Sequence, residues 1–161
     1  MGTDIHGCWE AKEKRTGKWL PFAGINGDRN YLWFGIIADL RKHDVYAFDF
    51  DLRGKPSKTC KLWQERGDID WMHDFTWLKP SEIMHANEMY IFEEKDYWGD
   101  RQSPNGDYEL APTPETKMTK LITEFDYPEN RSIPWAGTIQ EFIGEDADFD
   151  ECVRFVCAFD S

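Results

Sequence analysis

The sequence predicts a single α+β domain over residues 1–161. Its sheet is mixed or antiparallel, contains the N- and C-terminal strands, and is packed by one main helix and several short ones. Three stretches carry that prediction. Asp4 to Lys12 alternates polar and apolar residues and is followed by a Thr16-Gly17 turn, the pattern of a strand entering a hairpin. Trp33, Ile36, Ile37 and Leu40 recur at helical spacing and form a buried stripe. Val153 to Phe159 is apolar on both faces apart from Arg154, as a strand in the middle of a sheet should be. At 161 residues, a single domain buries roughly 68–70% of its unfolded surface.

In chain order, Lys18 to Phe22 is the short return strand of the hairpin, and Pro21 keeps it at an edge or a strand end. Ala23 to Gly27 reads as a loop by composition. The main helix follows, capped by Asp28 or Asn30 and closed by Arg41, Lys42 and His43, where positive charge suits the dipole. Val45 to Leu52 alternates as a short or edge strand, and Arg53-Gly54-Lys55-Pro56 is a turn. Residues 59–66 allow one or two helical turns around Leu62 and Trp63, whereas Asp68 to Leu78 is aromatic-rich without a clean period. Pro80 opens a short helix that ends near Ala86. Met89 to Phe92 reads as a strand and 96–116 as a long loop excursion; Met118 to Phe125 fits helix or strand. Thr138 to Ile143 is a short helix stopped by Gly144, and the terminal strand is expected beside the first.

The net charge of −12, from 31 acids against 19 bases, argues against direct nucleic-acid binding or capture by an anionic membrane. No apolar run approaches the roughly 18 residues of a membrane span. The opening lacks a basic region followed by an apolar stretch, so neither a secretory leader nor an anchor is expected. Cys8, Cys60, Cys152 and Cys157 are scattered and read as reduced thiols. No P-loop or dinucleotide fingerprint occurs.

The opening strand has an unusual face. Asp4, His6, Cys8 and Glu10 share one side of it, so this side looks into water or lines a site. Four motifs extend the observation: Gly2-Thr3-Asp4-Ile5-His6 with Glu10, Arg29-Asn30-Tyr31-Leu32-Trp33-Phe34, Arg53-Gly54-Lys55-Pro56, and His73-Asp74-Phe75-Thr76-Trp77-Leu78. With the closing Val153-Arg154-Phe155-Val156-Cys157-Ala158-Phe159-Asp160, the chain resembles a family of small, functionally uncharacterised proteins of bacteriophages, prophages and bacteria. The resemblance spans nearly the full chain and implies a viral or prophage origin and the cytoplasm of a bacterial host. Asp74 stands where the family commonly has Ser, and Trp71 where many members have Asp.

Three functions compete. In the first, a phosphate-bearing, nucleotide-like small molecule binds Arg29 and Asn30 at a helix start, Arg53 in its turn, and His73, with Trp77, Phe75 or Trp71 stacking on a base. This reading extends to counter-defence against a nucleotide signal of the host. Against it, Arg29 would simply pair with Asp4 or Glu10 and pin the helix to the sheet. In the second, Asp4, His6, Glu10 and Asp74, with His73, hold zinc or manganese in a metal-dependent hydrolase. In the third, the acidic stretch Glu141, Glu145, Asp146, Asp148, Asp150 and Glu151 makes the protein an inhibitor of a host defence protein or a nucleic-acid mimic. His43 and His85 are expected to face solvent at helix ends.

Overall fold

In the computed structural model the described residues are 2–27, 31–40, 52–59, 72–86, 88–89 and 138–160. They form an α+β fold around a four-stranded antiparallel sheet. Strand β1 is Asp4–Lys12, β2 is Trp19–Gly27, β3 is Met72–Leu78 and β4 is Val153–Asp160. Their spatial order is β2-β1-β4-β3, so the first and last strands of the chain occupy the middle, as the apolar terminal stretch predicts. The strand expected over Val45–Leu52, the helix over 59–66, the strand over 89–92, the excursion at 96–116 and the stretch 118–125 lie wholly or almost wholly outside the described residues.

The hairpin turns at Thr16-Gly17, where Gly17 takes a φ of 67° that a side chain would resist. The Gly17 N–H donates to the Glu13 carbonyl at 2.8 Å, and the Glu13 N–H to the Lys18 carbonyl at 2.9 Å. The return strand is longer than its composition suggests, because Ala23 to Gly27, read as a loop, pair with β1 from Trp9 back to Ile5. Backbone pairing offered by a neighbouring strand overrides weak local propensity. The register slips between Trp9 and Glu10, leaving Phe22 as the extra residue beside Pro21. A proline, which has no N–H to offer a ladder, is at home in such a bulge on an edge strand.

Helix α1, Tyr31–Ala38, is the predicted main helix, and Trp33 through Ala38 are all buried. It stops before Arg41 to His43, the expected end. Asp39 adopts a left-handed φ of 56°, a conformation that Asp tolerates better than most residues. The Leu40 N–H then turns back to the Phe34 carbonyl at 3.4 Å. A second helix, α2, covers 80–86 as Pro80 predicts. Helix α3, Ile139–Ile143, begins with a capping box in which Thr138 and Glu141 satisfy each other's backbone N–H groups, and it stops at Gly144. A short α4, Phe149–Cys152, is capped by Asp148 and leads directly into β4.

One side of the sheet carries the main core. Trp9 and Phe155 meet at 5.5 Å between ring centroids, Trp33 reaches Phe155 at 6.0 Å, and Phe34 meets Phe159 edge-on at 5.2 Å. Ile5, Leu78, Ile83, Ile139 and Phe142 fill the space around these rings. Phe155→Ala is expected to cost about 3–5 kcal/mol, because it empties the centre of this cluster. Lys12→Ala, at an exposed strand end, should stay within about 0.5 kcal/mol of wild type. Denaturant titration of the two variants compares them directly.

Candidate functional site at one end of the sheet

The other side of the sheet carries the residues that the sequence singles out. Asp4, His6, Cys8 and Glu10 project there from β1, and β4 sets Asp160, Ala158, Val156 and Arg154 directly opposite them. Two cross-strand polar pairs result, with apolar residues between. Cys8, Met72, Val156 and Ala158 form a buried patch, joined by Phe75 and Trp77.

The pair at the far end is closed. Arg154 Nε donates to Glu10 Oε2 at 2.9 Å, and Thr59 Oγ1 donates to Oε1 at 2.5 Å. The remaining reach of Arg154 goes to the Lys58 carbonyl, and its guanidinium lies 3.8 Å from the centre of the Trp19 ring. Glu10 is fully buried and the Arg154 side chain is only 10% exposed. Glu10 therefore has the arginine partner that a buried carboxylate requires, and that partner is Arg154; the pairing expected of Arg29 with Asp4 or Glu10 lies outside the described residues. Glu10 also lies six strand residues from Asp4, roughly 20 Å along β1. It cannot share a metal ion with Asp4.

The pair at the near end is open. His6 Nε2 donates to Asp160 Oδ2 at 2.8 Å, while Asp160 Oδ1 accepts the Asp4 backbone N–H at 3.0 Å. Side-chain exposure is 21% for His6 and 25% for Asp160. The carboxylate fixes the orientation of the imidazole and turns its Nδ1 away from Asp160. Asp160 belongs to the closing motif and lies outside the site residues expected from the sequence. Its signal was there, since it ends the strand expected beside β1.

His73 and Asp74 open β3 at this same end. His73 Nδ1 donates to Asp74 Oδ2 at 2.6 Å, and Asp74 holds a left-handed φ of 51°. The register slips here, so Asp74 and Phe75 together oppose Ala158. That bulge breaks the alternation within Met72–Leu78. By register His73 shares the side of Phe159, whereas His6 shares the side of Ala158. The two histidines thus occupy opposite faces, which separates His73 from the Asp4 and His6 side chains.

Arg53 is engaged within the fold. Its guanidinium forks onto both carboxylate oxygens of Glu82, donates to the Trp77 carbonyl at 3.1 Å, and lies 4.7 Å from the centre of the Trp77 ring. The hydrogen bond to Glu82 raises the Arg53 pKa against the opposing effect of burial. For Glu82, burial pushes upward, but the Arg53 hydrogen bond, the Lys79 N–H and both cations together hold it below its ordinary value of 4.5. The fork expected for phosphate is thus spent on a carboxylate, and Trp77 has one ring face covered.

Arg29, Asn30 and Trp71 lie outside the described residues. Among the described residues no three His, Cys, Asp or Glu side chains gather in a way that could hold a metal ion. Cys8 is buried beside Val156, and burial pushes the Cys157 thiol strongly upward, with Cys8 adding to the effect. Neither is set up as a nucleophile. Four of the six acids of the 141–151 stretch have work inside the fold. Glu141 and Asp148 cap helices, Asp150 accepts both the N–H and the hydroxyl of Ser81, and Glu151 pairs with Lys79 at 3.8 Å. No helix among the described residues is long and apolar enough to cross a membrane. No protein-family model matches the chain, and no curated protein or solved structure shows significant similarity to it.

Removing one partner of the buried pair, as in Arg154→Ala, should cost about 3–5 kcal/mol in denaturant titration, because Glu10 is left uncompensated. Replacing both, as Glu10→Leu with Arg154→Met, should recover most of that loss. The Glu82 carboxylate has a lowered pKa in the fold, so its contribution is present above the ordinary carboxylate range and is lost as pH falls through the lowered value. Wild type and Glu82→Gln should therefore differ in thermal midpoint at neutral pH and converge on acidification. Equal midpoints at neutral pH would show that the pair contributes nothing.

Proposed function

We propose that the protein binds a phosphate-bearing, nucleotide-like small molecule at the sheet end marked by His6 and Asp160. The observation behind this reading is the contrast between two polar pairs on one face. Glu10 and Arg154 are sealed in the fold, whereas His6 and Asp160 stay partly exposed where the strand ends meet. Strand β2 also finishes at this end, since Gly27 pairs with Ile5, and α1 begins at Tyr31. Arg29 and Asn30 are the sequence between them, immediately ahead of the α1 first turn, where the helix dipole favours an anion. Asp160 acts as the orienter of His6, its charge shared with the imidazole and with the Asp4 N–H. His6 then supplies a ring edge to the ligand, and the anion falls to Arg29 and the helix start. Arg53 holds Glu82 and leaves the set of phosphate ligands. The resemblance to phage and prophage proteins extends the proposal to a nucleotide signal of host defence in the bacterial cytoplasm.

A thermal-shift screen of nucleotides, cyclic nucleotides and inorganic phosphate tests this. At least one nucleotide should raise the midpoint, Arg29→Ala and His6→Ala should remove the rise, and Lys12→Ala should keep it. No shift with any of them, alongside a host protein that co-purifies, would replace this reading with that of a protein inhibitor.

A further inference from the structure

We infer that residues 52–59 form a hinged cover over the face that bears Cys8, anchored at Lys58-Thr59 and released at Arg53. The segment starts at the β3 side, where the Arg53 N–H donates to Thr76 Oγ1 at 3.3 Å and its side chain reaches Trp77 and Glu82. It finishes over the middle strands, where the Lys58 carbonyl accepts from Arg154 of β4 and the Thr59 hydroxyl donates to Glu10 of β1. It therefore crosses the strands from β3 to β1. On the face it crosses, the pairing of β1, β4 and β3 sets the row Cys8, Val156 and Trp77, and the Arg53 guanidinium lies over the Trp77 ring. Cys8 and Val156 are buried, and so is Pro56 between the two ties.

The two ties differ in kind. Thr59, Glu10 and Arg154 are all buried, so separating them would strand a charge away from water. Arg53 and Glu82 keep side-chain exposures of 30% and 21%, so water can replace either partner as they part. Gly54, next to Arg53, holds a φ of 70°, the left-handed conformation that lets the chain turn there. Opening thus begins at the Arg53 end while the Thr59 end stays fixed. The R-G-x-P turn, expected to grip a ligand, becomes the latch of the cover. The cover stands apart from the proposed binding function.

The test reads the cover without any ligand, so its outcome is separate from that of the nucleotide screen. The full chain is treated with iodoacetamide under native conditions, and modification of Cys8 and Cys157 is followed by peptide mass spectrometry. Glu82→Gln should raise the rate at Cys8 about fivefold, the shift in opening expected for a partly exposed pair. Cys157, on the opposite face, should remain unmodified. Arg53→Lys, which keeps the charge and loses the fork, repeats the measurement should Glu82→Gln lower overall stability. An unchanged Cys8 rate, or equal acceleration at Cys8 and Cys157, overturns the cover.

Discussion

Antiparallel pairing of β1 with β4 is the constraint on which the rest depends. It joins residues more than 140 positions apart in sequence, from Asp4 with Asp160 to Ala11 with Val153. Such closure is entropically expensive and needs large compensating burial. The compensation comes from both faces at once. Trp9, Phe155 and Phe159 enter the aromatic core on one side, while Cys8, Val156 and Ala158 are buried on the other. The same register brings Glu10 against Arg154 and His6 against the end of β4. A slip of one residue would send every one of these side chains to the wrong face.

That pairing also sorts the chemistry of the unusual face. A single run of alternating polar residues acquires two fates because its ends meet different surroundings. Glu10 meets an arginine, a threonine and a strap of chain, and becomes structure. His6 meets an aspartate at the finish of β4 and stays in reach of solvent. The acids behave in a comparable way at the other margin of the fold, where Asp148, Asp150 and Glu151 stitch α4 to its own backbone and to the start of α2. A dense acidic stretch is thus largely a set of caps and cross-links, which leaves less of it for phosphate mimicry.

Local geometry explains why the aromatic region before Pro80 resisted reading. An extra residue at Asp74-Phe75 breaks the alternation, and Asp74 supplies the left-handed backbone that the bulge uses. The bulge leaves Phe75 and Trp77 with the small apolar patch and His73 beside its own aspartate. Similar logic applies to Phe22 and Pro21 in β2, where a missing N–H coincides with a slipped register. In both strands the irregularity lies at an edge of the described sheet.

The chain by itself determined the hairpin, the buried helix, the central terminal strand and the short helices at Pro80 and Thr138. Each of these rests on periodicity, a turn residue or a cap, which act over a few neighbouring residues. It also determined which residues to watch, since Asp4, His6, Glu10, Arg53 and His73 all make specific polar contacts. Only the tertiary structure decided what those contacts are. Glu10 went to Arg154, Arg53 to Glu82 and His6 to Asp160, and His73 took the opposite face from His6. Partner choice depends on strand register across the whole chain and on a one-residue bulge, and neither leaves a periodic trace in the sequence near the residues it joins.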